Sequence, residues 1–391
     1  MDGMTRGISQ GGKMKASKIT VAGLILIFAL SSSMVFAQAT PGKTQEPKKP
    51  EPKQPQKEIL PKEIKAILLE GLATRQGRND IPFTIFKSLY FPAPDGMYSV
   101  IFFRAKNSDL GYATPLPASP PPKSQQAKTP APATGMLEAR LALAIEFFVT
   151  DETGAQKVAR QVAGSVAVQT EAATYDPNKE EWYSVDVGMP YGKYTVALLL
   201  CSVDPKKGIA DLKKVGVQYY DMTVPGPETY SNALETTPPF FVRNIDRLQT
   251  YEPRPIVHKS FFTYSVLHFV PNIDSIVTAE DQSKIEVFFI VLGAKPKQEP
   301  QPGQQPEYSI EVTFEVQKED GSAAVRYLAQ DYPYQLISQQ LPLQQTLQIK
   351  DDKGQRQEKK DLPPGKYVLS AKVLDKVSQL KVEKKVPFEV K

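Results

Sequence analysis

A single cysteine, Cys201, leaves this 391-residue chain unable to close a disulfide on itself, and it excludes an all-cysteine zinc site. Histidine is almost as scarce. His258 and His268 are the only two, and neither belongs to a His-Glu-x-x-His pattern. No Gly-x-Ser-x-Gly elbow is present, since Gly164-Ser165 lacks the flanking residues, and there is no phosphate-binding loop or dinucleotide-binding glycine pattern. Asp176-Pro177-Asn178-Lys179-Glu180 offers oxygen ligands at alternate positions, but it has neither the glycine nor the distal glutamate of a calcium loop, and it reads as a solvated turn. No cofactor, metal ion or catalytic residue is expected. An excess of charge of either sign is also lacking. The chain has 48 basic and 43 acidic residues, and without residues 1–37 the balance is 44 to 42. A near-neutral chain carries no broad field for nucleic acid.

One apolar run stands out. Ile19 to Leu30 follows Lys15 and Lys18 and leads to Val35-Phe36-Ala37, the layout of a secretory signal with cleavage before Gln38. The alternative is an uncleaved anchor, although Ser31-Ser32-Ser33 interrupts the run. Residues 1–37 are therefore expected to be a signal peptide and the protein periplasmic or extracellular, touching a membrane only if the leader is retained. Residues 38–62 form a linker rich in Pro, Lys and Glu with almost nothing to bury, and disorder is expected there. Ile64, Ile67, Leu68 and Leu72 then recur at helical spacing, giving a short amphipathic helix that ends near Gly71, with a strand as the alternative.

The remainder is patterned for strands. In Tyr308 to Val316, Ile310, Val312, Phe314 and Val316 fall on one face and Ser309, Glu311, Thr313 and Glu315 on the other, the period of two of a strand with one buried face. Leu141, Leu143, Ile145, Phe147 and Val149 form a similar stripe. Landmarks also repeat. Asp151-Glu152-Thr153-Gly154 corresponds to Glu319-Asp320-Gly321-Ser322, and Pro190-Tyr191-Gly192-Lys193-Tyr194 to Pro363-Pro364-Gly365-Lys366-Tyr367. Phe83-Thr84 with Leu89-Tyr90-Phe91 likewise corresponds to Phe262-Thr263 with Leu267-His268-Phe269. The repeat implies a duplicated unit with insertions of unequal length at one loop. Such insertions are tolerated because loop closure costs rise slowly with length.

Short strands with regular turn signals and no long helical pattern predict an all-β chain of two tandem antiparallel sandwiches. The stretch from Leu362 to Leu369, continuing to Val386-Pro387-Phe388-Glu389-Val390, resembles the last two strands of Ig-like or fibronectin-type modules in bacterial exported proteins. That resemblance implies an Ig-like fold and brings no catalytic residues with it. The expected modules are residues 63–230, with a Pro-rich loop at 107–135, and residues 231–391, with a Pro/Gln-rich loop at 294–307.

The function expected from these features is non-enzymatic: an exported binding or structural protein that recognises an envelope protein through sandwich surfaces. One alternative is a polysaccharide-binding module, with Trp182, Tyr183, Tyr191 and Tyr194 as an aromatic platform against sugar rings. The plainer reading of those rings is core packing. A second alternative is a hydrolase with acidic residues converging between the modules. Oligomeric state is not encoded in any pattern of this sequence.

Overall fold

The computed structural model describes residues 59–114, 135–204, 210–248, 257–301, 303–351 and 354–391. The expected signal peptide, most of the linker and the proline tract within loop 107–135 lie outside these residues. Helix α1 (Lys62–Glu70) ends at Gly71, as the apolar spacing predicts. Leu60 is buried with it, so the packed chain begins before residue 63, because Leu60 joins Ile64, Leu68 and Leu72 in one apolar cluster.

Seven strands follow: β1 (Phe83–Ala93), β2 (Gly96–Lys106), β3 (Met136–Thr150), β4 (Gln156–Glu171), β5 (Glu180–Met189), β6 (Gly192–Val203) and β7 (Ala210–Val224). The next seven are β8 (Glu235–Thr236), β9 (Phe240–Arg247), β10 (Val257–Lys259), β11 (Phe262–Tyr264), β12 (Leu267–Pro271), β13 (Ile276–Val277) and β14 (Glu286–Leu292). The last eight are β15 (Ile310–Lys318), β16 (Ala323–Arg326), β17 (Gln330–Tyr332), β18 (Leu336–Gln340), β19 (Gln344–Asp351), β20 (Gly354–Asp361), β21 (Gly365–Asp375) and β22 (Lys381–Val390). The protein is all-β, and its pairings are antiparallel except for β13 with β22.

Strand order explains the layering. Sheets β1-β2-β5-β10 and β4-β3-β6-β7 come chiefly from the first half of the chain, and β11-β12-β9-β14-β18 and β13-β22-β21-β15-β16 from the second. Strand β10 crosses over: Val257, His258 and Lys259 pair with Val185, Ser184 and Tyr183 of β5. The described residues outside 301–305 belong to one compact unit.

Local sequence sets each core. Strand β15 buries Ile310, Val312, Phe314 and Val316 and leaves the intervening residues half-buried, as its alternation predicts. Strand β3 differs. Leu141, Leu143, Ile145 and Phe147 are buried on one face, but Ala144, Glu146 and Phe148 are buried on the other. The reason is α1, whose Ile64 and Leu68 pack with Phe148, Leu199 and Cys201 on the outer face of this sheet. The continuous apolar run of β6 fits a strand covered on both sides.

The repeated landmarks share geometry at their turns. Asp151 Oδ1 accepts from the backbone N–H and hydroxyl of Thr153, and Asp320 Oδ1 from those of Ser322. Gly192 and Gly365 open β6 and β21 with φ of 146° and 158°, a region that side chains with a Cβ rarely adopt. Two residues on, the Tyr194 hydroxyl donates to the Pro190 carbonyl at 3.0 Å and the Tyr367 hydroxyl to Pro363 at 2.9 Å. The Phe-Thr and Leu-x-Phe landmarks do not share a position in the sheets. Strand β1 pairs with β2, whereas β12 pairs with β9 and β11, and it is β9 that adjoins β14. Tyr90 and His268 are therefore not equivalent. A short aromatic motif specifies a buried strand but not its neighbour.

The outer face of β1-β2-β5 is also apolar, and the strands of the second half cover it. Phe91 is the hub. Its ring lies 4.8 Å from Tyr264, 5.6 Å from Phe262, 6.2 Å from Phe240 and 6.3 Å from Phe288. Phe262 stacks on Phe269 at 4.9 Å with only 7° between the rings, and Phe102 meets Phe262 edge-on at 5.8 Å. All six phenylalanines are at most 2% exposed. Each buried ring contributes on the order of 1.5–3 kcal/mol, with about 0.5–1.5 kcal/mol more per well-oriented aromatic pair.

At the far end of β21, fully buried Asp375 closes the turn to β22. It accepts from Lys295 N at 3.0 Å, Val377 N at 3.0 Å and the Ser378 hydroxyl at 2.5 Å. Burial opposes its charge, but the Ser378 hydroxyl and the backbone N–H groups hold its pKa below the ordinary value.

Two predictions follow from this packing. Phe91→Ala is expected to cost about 3–5 kcal/mol in denaturant unfolding, because the cavity opens among rings that cannot collapse together. Asp375→Asn is expected to cost about 1–3 kcal/mol at neutral pH. The folded pKa is lowered, so this stabilisation is present above the unfolded carboxylate pKa of about 4 and fades as pH falls through the folded value. Unfolding curves of the variant and the parent measured from pH 7 downward should therefore converge in acid.

Candidate functional site

The four aromatic residues expected as a platform are not brought together on one surface. Trp182 and Tyr183 are adjacent in β5 and so point to opposite faces of its sheet. Tyr183 is fully buried, stacked on Phe103 at 5.2 Å, with its hydroxyl 3.3 Å from that of Tyr112. Burial, first of all, raises its pKa. Trp182 is half-buried and sits edge-on to Phe102 at 5.8 Å, beside the aromatic cluster. Tyr194 is 7% exposed and committed to its bond with Pro190. Tyr191, past the other end of β5, is the one exposed ring of the four. The plainer reading, core packing, accounts for three of the four.

Asp186 and Asp274, the acidic residues at the junction of the two pairs of sheets, each have a basic partner, although Asp186 Oδ1 is buried without a hydrogen bond. Asp186 Oδ2 lies 3.1 Å from His258 Nε2 and accepts from the Tyr98 hydroxyl at 2.9 Å and that of Thr263 at 3.5 Å. His258 and Asp186 are both buried. The Ser184 hydroxyl donates to the Phe261 carbonyl at 2.7 Å, and the Phe261 ring lies between those of His258 and His268. The cluster thus consumes its own hydroxyl groups and serves as a polar patch within an apolar contact. Asp274 pairs with Arg104, whose guanidinium lies 4.4 Å from the Phe86 ring centre. Tyr98, Asp186 and His258 are far apart in sequence, so no local motif announces the cluster. Among the described residues, no group of three or more His, Cys, Asp or Glu is arranged to hold a metal ion, and Asp176 forms a turn by accepting from Asn178 N at 2.9 Å.

The most open feature of the sheets is β4. It is an outermost strand of 16 residues, paired with β3 on one side; no strand among the described residues is hydrogen-bonded to its other side, although the short strand β10 of the facing sheet comes close to it. Only Val168 of its residues is buried. Basic residues, Lys157 and Arg160, stand near its start, but Val162 to Val168 carries no charge and no proline. Natural proteins commonly protect an edge with such residues, because its unpaired N–H and C=O groups will accept another strand.

Beside this edge, on the face that α1 covers, lies a trough of about 280 Å³ lined by small and apolar side chains: Ala142, Ala144, Ala163, Gly164, Ser165 and Cys201, closed by Ile64 and Leu199. Small residues here keep the floor low, and the α1 side forms the wall. Ile59 N donates to Gln161 Oε1 at 3.2 Å, which ties the segment ahead of α1 to β4. Edge and trough together offer main-chain hydrogen bonding and a shallow apolar recess, which suits an extended peptide. The alternation of β4 is confined to its second half, where Val162, Val166 and Val168 turn to the covered face and Ala163, Ser165 and Ala167 to solvent; its first five residues are all exposed and carry no stripe.

The chain matches no protein-family model and no curated protein. Among the described residues, no helix is long and apolar enough to cross a membrane.

Cys201 forms part of the trough floor but has no accessible surface, and burial pushes its thiol up to about 11. It is expected to resist a thiol reagent such as dithionitrobenzoate at pH 8 in the folded protein and to react stoichiometrically in guanidinium, as followed by absorbance.

Proposed function

We propose that this is a non-enzymatic exported protein that binds an envelope protein by accepting an extended segment of that partner onto the free edge of β4. The observation that carries the proposal is a 16-residue outer strand with one face exposed along its length and no charge over its central seven residues. Strand addition draws affinity from main-chain hydrogen bonds and specificity from pockets for alternate side chains. The trough beside Ala163 and Ser165 is the pocket in this reading.

The exported setting is supported by the leader pattern, with Lys15 and Lys18 ahead of an apolar run and Ala37 at the cleavage position. An Ig-like or fibronectin-like identity for the sandwiches is supported by the paired tyrosine turns at Tyr194 and Tyr367. A tyrosine hydroxyl bonded to the backbone a few residues upstream is a feature of that architecture. In this reading the sandwiches act as rigid supports and β4 as the contact.

The test places a photocrosslinking side chain at Val158, which is 47% exposed on β4. In source cells it is expected to trap one envelope protein. Addition of that protein should slow amide exchange across residues 156–171, and Ala163→Lys should reduce its affinity at least tenfold by putting a charge in the trough. A partner that leaves β4 exchange unchanged, or binds the Ala163→Lys protein equally well, would rule out the edge as the binding surface.

A further inference from the structure

A second surface has a different chemistry. A groove of about 440 Å³ lies between β1 and the segments around β8, β13 and β22, lined by Lys87, Lys384, Lys385, Thr236, Ser275 and Pro387 among others. Its charge is unevenly compensated. Lys384 is held by Glu235 at 2.5 Å, and Glu235 is further engaged by the Thr236 N–H at 2.8 Å. Asp274 is taken by Arg104. Lys385 has Glu383 only at 3.9 Å and is 57% exposed.

Lys87 is left over. It projects from the outer face of β1, half-buried against the second half of the chain, and no described residue gives it a hydrogen bond or an ion pair. Burial lowers its pKa, and the charge of Asp274 only partly offsets this. Two hydroxyl groups beside it are also unused. Thr236 is 6% exposed and its Oγ1 has no hydrogen-bond partner, and no described group bonds the hydroxyl of Ser275. A partly desolvated ammonium without a directly bonded partner is costly, and so is a buried hydroxyl without one. One kind of ligand relieves both: a compact oxyanion that accepts from an ammonium and from hydroxyl groups at once.

We infer that this groove is a binding site for a small oxyanion group, phosphate or carboxylate, with the Lys87 ammonium as its main partner and Lys385, Ser275 and Thr236 around it. The groove is spatially separate from β4, so this site stands or falls independently of the strand-addition reading. Because it draws on β1 and on β22, a bound anion also ties together the two halves of the chain.

The test uses the full mature chain with inorganic phosphate and, in parallel, succinate, each against sodium chloride at equal ionic strength, read by thermal unfolding and by calorimetric titration. The expected result is a saturable rise in Tm with one of the two oxyanions, and which one responds identifies the chemical source. Lys87→Met should weaken that binding at least tenfold while leaving the anion-free protein folded and no less stable, since the change removes an unpaired charge. Lys87→Arg should retain part of it. Lys385→Gln, an exposed change that does not threaten folding, should weaken binding severalfold and serves if Lys87→Met misfolds. The inference is overturned if neither oxyanion stabilises the protein beyond chloride, or if binding is undiminished in both Lys87→Met and Lys385→Gln.

Discussion

The contact around Phe91 is the constraint on which the rest of the molecule depends. The sheet β1-β2-β5-β10 is apolar on both faces, so each half of its surface must be covered by something. The inner face is covered by β4-β3-β6-β7, and the outer face by Phe240, Phe262, Phe269 and Phe288 of the second half of the chain. Once that second contact forms, polar groups on the same face can no longer reach water and must satisfy one another. Asp186 Oδ2, His258, Tyr98 and Thr263 do so, whereas Asp186 Oδ1 is buried without a hydrogen-bond partner, and β10 is the strand that brings His258 within reach. A chain without disulfides gains stability from this joint as well as from the individual cores.

The same covering leaves two surfaces unfilled, and they differ in kind. On the far side of the first pair of sheets, α1 shields β3 and β6 but stops short of β4, so an edge and a shallow apolar trough remain open. At the margin of the aromatic joint, β1 carries Lys87 into a groove whose acidic residues already have partners. The first surface presents backbone and methyl groups, the second an uncompensated charge. A polypeptide segment is suited to one and a small anion to the other.

What was legible in the sequence was whatever is set by neighbours in the chain. Ile310 to Val316 alternates because a strand with one wet face must. The Asp151 and Asp320 turns, and the tyrosine turns after Pro190 and Pro363, are closed by hydrogen bonds within four residues, so a short motif specifies them. The helix at Ile64 and Leu68 was legible for the same reason. Trp182 and Tyr183 were grouped by proximity along the chain, yet the period of a strand sends adjacent residues to opposite faces. The likeness of Leu89-Tyr90-Phe91 to Leu267-His268-Phe269 misled because it reports burial, not pairing.

The amino-acid sequence by itself determined that this protein is all-β, which faces of β15 and β21 are apolar, and where the chain must turn tightly, since these follow from side-chain period and bonds a few residues long. Only the tertiary structure decided that β10 joins the sheet of β5, that Phe91 rather than Trp182 is the central ring, that β4 is an outermost strand and that Lys87 has no ion pair or hydrogen bond among the described residues. Those outcomes rest on contacts between residues up to about three hundred positions apart, such as Lys87 and Lys384 around one groove. No local pattern encodes such a contact, because many pairings of greasy strands satisfy the same alternation. Which one forms is settled by how all the faces and buried polar groups are satisfied together.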